Sequence, residues 1–463
     1  MQPKEQKPVY RINRCYTSYG SLVALGIEVE RRGILEPIRE QVHIKQKVIQ
    51  DTPVKKLTDA LIAILAGARG LVETNKRVRP EKALQLAFGR HRCAEQSVIS
   101  DTLNACSNVN VTQMQEALRE IYQTHSQGYH HDYDVDWQLL DVDMTGQPCG
   151  KKAEFASKGY FANQRNRRGR QLGRVLASWY DEVVVDLLYD GKTQLPRALK
   201  ELVITAAATL DLDATKRQRT IIRIDGHGGS LDDVNWLLGQ RYHVHTKEYS
   251  TKRARKLAES VVTWYDDEKG SGRQFGYVTQ EATEYVDIVH RIAVRTRKKN
   301  GQWGIGVLIS SLSPHEVTYL AGLMAPETLS EQEILAAYVH FYDLRGGGVE
   351  TAIKSDKQAL GISKRNKKSF TAQQMIMQLN TLAHNLLVWF RMWMAQHWQA
   401  ITRLGLLRLI RDLLRINAFV HFDERRMMVQ LVINQLDPFA HQLCHALRPM
   451  LARSQIDIIL GKT

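Results

Sequence analysis

Residues 139–147 read LLDVDMTGQ. An apolar run carries Asp141 and Asp143 into a Thr-Gly pair and then stops, the pattern of a buried strand ending on a carboxylate. A turn residue is one explanation for that aspartate; a metal ligand is the other, and it needs partners elsewhere in the chain. Asp141 and Asp143 share one face of the strand by alternation, so Asp141 is the rival of Asp143. The same design returns at 220–229, TIIRIDGHGG, where Asp225 closes an apolar run and the glycines after it let the backbone turn. Two strands of one α/β domain, each ending on aspartate, can place both carboxylates at the same sheet edge.

The segments around these motifs alternate between strand and helix. YDEVVVDLLYDG (180–191) has strand periodicity and a D-G turn, PRALKELVITAAATLDL (196–212) is a helix, and another starts near Ser230. That order is an α/β pattern with a mixed sheet. Between the first two strands lies a basic loop with Arg165, Arg167, Arg168 and Arg170, placed where a phosphate backbone near Asp143 would run. A solvated charged face is the plainer reading of such a loop. A third acid stands in YDLRGGGVETAIKSDKQALG (342–361), where a helix is expected from Val349. Glu350, Lys354 and Lys357 then share one helical face, with Tyr342 and Arg345 just upstream. A surface helix with a Glu-Lys pair is the alternative.

The rest of the chain divides around this core. Residues 1–130 are expected to be a mostly helical DNA-binding region, after weak strand signals in GSLVALGIEVERRG (20–33) and REQVHIKQKVIQD (39–51). Within it, EQSVISDTLNACSN (95–108), with Ser97 and Ser100 as candidate N-caps, precedes VTQMQEALREIYQTH (111–125). The pair has the form of a helix-turn-helix or of an ordinary helical bundle. Residues 131–244 form the first part of the core, 245–330 a β-rich insertion, and 331–463 the second part with C-terminal helices covering the sheet. Tyr277 and Trp303 in the insertion are candidates for stacking on a flipped base, or are simply core.

Composition narrows the partner. Lys and Arg outnumber Asp and Glu by 64 to 49, a net charge of +15, which favours a polyanion: nucleic acid or a membrane surface. The basic runs lie away from the most apolar stretch, LAHNLLVWFRMWMA (382–395), which is too short and too interrupted to span a bilayer. The start, MQPKEQKPVYR, has no secretory apolar region, and the five scattered cysteines show no C-x-x-C spacing. A cytoplasmic, nucleoid-associated protein without membrane attachment is expected.

Asp143, Asp225 and Glu350 can together hold a pair of Mg²⁺ ions, which prefer hard oxygen ligands and keep several waters. Two such ions roughly 4 Å apart activate an attacking water or 3′-hydroxyl and stabilise the leaving oxygen of a phosphodiester. Flanking arginines and lysines offset the repulsion between carboxylates and DNA. In these features the chain resembles the DDE transposases of bacterial insertion sequences, in the IS4-like group and closest to its IS1380-type members. The carriers are D-M-T at Asp143, R-x-D-x-G at Arg223 and Asp225, and Tyr342, Arg345, Glu350 and Lys357 in order. Between Arg345 and Glu350 this chain has four residues where the family signature has three. The resemblance spans about residues 85 to 390.

It implies a ribonuclease-H-like catalytic core with an inserted β-rich segment before the glutamate. It also implies metal-dependent strand cleavage and strand transfer with Mg²⁺ or Mn²⁺, with two ions held by Asp143, Asp225 and Glu350. Implied partners are double-stranded DNA, namely terminal inverted repeats and target, and a second copy of the chain in a synaptic homodimer. Two alternatives stand beside it: a ribonuclease-H-like nuclease without joining activity, and a non-catalytic DNA-binding protein derived from a transposase.

Overall fold

The computed structural model describes the chain except residues 1–12, 48–49, 162–163, 165, 227, 271 and 324–325. It resolves into two compact units: residues 1–121 with 355–463, and residues 122–354. In chain order the strands begin with β1 (Asn13–Thr17), β2 (Gln138–Pro148), β3 (Ser157–Lys158), β4 (Arg168–Ala177) and β5 (Glu182–Asp190). They continue with β6 (Thr220–Ile224), β7 (His243–Lys247), β8 (Tyr265–Asp266), β9 (Arg273–Tyr277) and β10 (His290–Arg297). The last are β11 (Trp303–Ser310), β12 (Ala418–Phe422), β13 (Met428–Asn434) and β14 (Asp457–Gly461).

The unit 122–354 is built on one mixed sheet, in the order β3-β4-β2-β6-β7-β11-β10-β9-β8, with β5 also on β4. β2, β6 and β7 are parallel, while β4 and β5 run antiparallel at one side and β11, β10, β9 and β8 at the other. One face buries Leu199, Leu202, Val203 and Ala206 of the helix Leu195–Leu210 against Val142, Val175 and Ile222. The other buries Leu335, Tyr338 and Phe341 of the helix Glu331–Asp343 against Leu139, Ile221, Ile292 and Leu308. Ser230 caps the helix Leu231–Gly239, accepting from the Asp233 N–H, as the expected start near Ser230 requires.

Two expectations for this unit change. The block 245–330 is not set apart from the core: β11 pairs with β7, so the block's strands extend the same sheet. The chain also leaves this unit at Lys354, and everything after it belongs with the N-terminal residues. The C-terminal helices are therefore not counted with the sheet of 122–354.

In the other unit, the stretch 20–33 that reads as strand is the helix Gly20–Arg31. It buries residues on nearly all sides, among them Leu22, Val23, Leu25 and Val29, which erases the amphipathic period. Its buried Glu28 is held by Arg31 and Arg32, both at 2.6 Å. The helix Gln96–Asn104 starts one residue before Ser97, so neither Ser97 nor Ser100 caps it. The helix Phe370–Ala395 is buried through most of its length rather than amphipathic. Within the C-terminal part expected to be helical, residues 418–422 form β12, part of a sheet ordered β1-β12-β13-β14. Among the described residues no helix is long and apolar enough to cross a membrane.

Candidate active site

The pairing of parallel β2 and β6 stops at Val142 opposite Ile224. The next residue on each chain is an aspartate, Asp143 and Asp225. Neighbouring strands lie about 4.8 Å apart, so these carboxylates start side by side. β2 itself does not end there. It runs on to Pro148 against β4, with Asp143 opposite Arg174, and so loses its partner only on the β6 side.

Two residues back, the same register pairs Asp141 with Arg223. Arg223 donates from Nε to Oδ1 at 2.6 Å and from Nη2 to Oδ2 at 2.8 Å, and Ser178 Oγ donates to Oδ2 at 2.6 Å. Arg223 also donates to the Phe341 carbonyl at 2.6 Å, fastening the sheet to the helix Glu331–Asp343. Asp141 and Arg223 are fully buried and matched one to one.

Glu350 arrives from the helix Val349–Ala359, which starts at Val349 as the sequence implies. Val349, Ala352 and Ile353 pack on Leu176 and Val183, and each large aliphatic buried this way contributes about 1.5–3 kcal/mol. That seating leaves Glu350 in the first turn with its side chain 55% exposed. The approach requires glycine at 348, where a Cβ would lie 2.5 Å from Asp141 Oδ2.

Arg345 joins the acids. Its Nη1 lies 2.5 Å from Glu350 Oε1 and its Nη2 3.1 Å from Asp143 Oδ2, while its buried Nε has no hydrogen-bond partner. Tyr342 donates a long bond of 3.5 Å to Asp225 Oδ1, and Lys247 Nζ, at the end of β7, sits 4.4 Å from the Tyr342 ring centre. Burial pushes the Asp143 carboxyl up; Arg345 and the Met144 N–H pull it back, and the charges of Asp225 and Glu350 push it up further. Burial lowers the Lys247 ammonium, against the pull of Asp225 and Asp343. The four charges act on one another as one cluster.

Other sequence candidates are scattered. Arg167 and Arg168 are exposed near the start of β4. Arg170 is buried, with Nε donating to the Glu154 carbonyl, so it is not on the surface a phosphate would reach. Arg165 lies outside the described residues. Lys354 is exposed and Lys357 half-buried, further along the helix of Glu350. Trp303 packs on Arg295 at 4.7 Å, and Arg295 on Trp264 at 4.1 Å. Tyr277 is opposite Ile292 and Trp303 opposite Arg297, five positions along β10 and so roughly 17 Å apart. The structure does not bring those two rings together. Sequence reasoning missed Lys247, although HVHTK is a third parallel strand closing on a charged residue beside RIDG.

Three carboxylates are the right chemistry for a hard divalent cation. Their placement here is different: Arg345 holds two of them, and among the described residues no three His, Cys, Asp or Glu side chains are grouped to hold a metal ion.

A mixed sheet flanked by helices, with acids closing adjacent parallel strands, is consistent with the ribonuclease-H-like DDE class in general terms. The chain belongs to the family described as transposase DDE domain group 1, whose model matches residues 14–453, a wider span than the motifs cover. No curated protein matches it. Among solved structures it is similar to a piggyBac transposase in a synaptic complex with hairpin DNA, at 11% identity and a TM-score of 0.43, over 87% of this chain and 82% of that one.

Proposed function

We propose that this protein is an insertion-sequence DNA transposase, of the IS4-like, IS1380-type group, that cleaves and joins strands at the ends of its element. The observation that carries the proposal is the register of β2 and β6, which sets Asp143 beside Asp225, together with Arg345, which draws Glu350 to Asp143. In this reading Asp143, Asp225 and Glu350 hold Mg²⁺ or Mn²⁺, as two ions, and the bound metal supplies an activated oxygen nucleophile and charge stabilisation at the scissile phosphate. Asp141 is the structural partner of Arg223. Arg167, Arg168, Lys354 and Lys357 hold DNA phosphates, and Arg345 and Tyr342 lie next to the scissile one. Trp303 and Tyr277 remain the candidates for base stacking, acting at separate places. The partners are double-stranded terminal repeats, target DNA and a second copy of the chain, in the cytoplasm on the nucleoid.

The test incubates purified protein and Mg²⁺ or Mn²⁺ with a labelled element-end duplex and a plasmid target. Cleaved and joined products are expected. Cleavage without joining makes it a nuclease, and binding without cleavage makes it a non-catalytic DNA-binding protein.

A further inference from the structure

Arg345 spends its charge on the acids themselves. Its guanidinium spans Asp143 Oδ2 and Glu350 Oε1, one oxygen of each of two acids that the proposed function assigns to a metal ion. A guanidinium charge held on these carboxylates opposes a dication binding them, so ion and arginine compete. We infer that Arg345 is a built-in counter-ion that keeps the acidic centre closed to metal until a DNA phosphate takes over its guanidinium.

Three features carry this beyond an ordinary ion pair. First, three carboxylates gather around Arg345, which touches two of them, with Lys247 near Asp225 as the second cation, so without Arg345 the metal-free cluster would repel itself more strongly. Second, Arg345 keeps an unpartnered Nε–H while buried, so its present bonding is incomplete. A phosphate offers a planar guanidinium two parallel bonds and so a better match than the two carboxylates it now divides itself between. Third, Arg345 rides on the turn Leu344–Gly347, where a Cβ at Gly346 or Gly347 would meet nothing within 4 Å. The space beside that turn is open, although the Gly346 carbonyl accepts from Thr351 Oγ1 at 2.7 Å. The order of events is then DNA first and metal second, which spares the cell a loaded nuclease without its substrate. This inference rests on the transposase reading.

The experiment measures Mn²⁺ binding by the full-length protein, by calorimetry and by the loss of free-ion electron resonance signal, with and without a DNA duplex. The wild-type protein should bind Mn²⁺ weakly alone and about ten-fold more tightly with duplex, within the usual range of coupling between two sites. Arg345→Gln should bind Mn²⁺ about ten-fold more tightly than wild type without DNA, and gain little from duplex. Adding Asp143→Asn to Arg345→Gln should abolish that binding, placing the ion. Should Arg345→Gln not fold, Arg345→Lys replaces it; one ammonium cannot span both oxygens, so Mn²⁺ binding without DNA should again rise. Equal affinity of wild type and either variant without DNA overturns the inference while leaving the transposase reading intact. Absence of Mn²⁺ binding in every form, with duplex present, overturns both.

Discussion

Two acid–arginine clusters stand two residues apart on β2, and they are balanced in opposite ways. At Asp141 one carboxylate meets one guanidinium, with Ser178 taking a further lone pair and both charges out of solvent. At Asp143 one guanidinium is divided between two acids, a third acid lies next in register, and Glu350 stands half in solvent. A closed, matched pair has no charge left for a ligand. A crowded, mismatched cluster at an open strand end has charge left over. The comparison separates an aspartate in a one-to-one pair from an aspartate in a shared cluster, where strand alternation alone could not.

The largest effect should come from breaking the closed pair. Arg223→Met leaves Asp141 buried without its partner and should cost about 3–5 kcal/mol in urea unfolding. A loss below about 1 kcal/mol would put this pair in the same class as a surface contact and erase the contrast.

Next come the open-cluster acids. Asp143→Ala, Asp225→Ala and Glu350→Ala should each slow strand cleavage by about 100–1,000-fold, as removal of one transition-state stabilising group does. End-duplex binding should stay close to wild type in gel-shift titrations. If a folded Asp141→Ala is inactive while Asp143→Ala is active, the roles of the two aspartates are reversed.

A smaller change is expected at the rim of the closed pair. Ser178→Ala removes one hydrogen bond to a charged group, worth about 1.5–3 kcal/mol, with cleavage rate per folded molecule unchanged. Cleavage falling more than stability would tie Asp141 to the chemistry.

Acid tests the buried interior beside the closed pair. His245 is fully buried between Ser310 Oγ and the Tyr338 carbonyl; burial first, and the nearby Arg223 charge second, lower its pKa from 6.5 to about 3. The unfolded chain takes up that proton first, so the stability is complete above about pH 6.5 and is lost as pH falls toward 3. The slope should reach about 1.4 kcal/mol per pH unit, and His245→Gln should flatten it. An unchanged slope in the variant would mean that other groups govern acid unfolding.

Much of the sheet was legible because its strands are short apolar runs closed by charged or glycine-rich turns. TIIRID and EVVVDLLYD both fall where their patterns put them. The helix Gly20–Arg31 was not legible, because a residue such as Ala24 or Val23 carries no information about period when no face is polar. Membership of a sheet was also invisible: Leu308 opposite Lys247 joins β11 to β7, yet nothing local in either strand names its partner. For the site, residue types and order were readable, and Glu350's helix was placed to the residue. The division of Arg345 between two acids was not, since it depends on where a helix packed on β4 and β5 happens to aim its first turn.

Gly348 sets which residue can precede the helix of Glu350. A Cβ there would meet Asp141, while one at Gly346 or Gly347 would meet nothing within 4 Å, and the Gly346 carbonyl accepts from Thr351 Oγ1 at 2.7 Å. Deleting any one of Gly346, Gly347 and Gly348 leaves the same sequence, with two glycines between Arg345 and Val349, so the three-residue interval is restored and a glycine still precedes the docked helix. A larger residue at that last position is what the docking forbids, because its Cβ would lie 2.5 Å from Asp141 Oδ2. The extra residue in the signature is therefore tolerated as length, while the demand for glycine falls on the one position that precedes the helix.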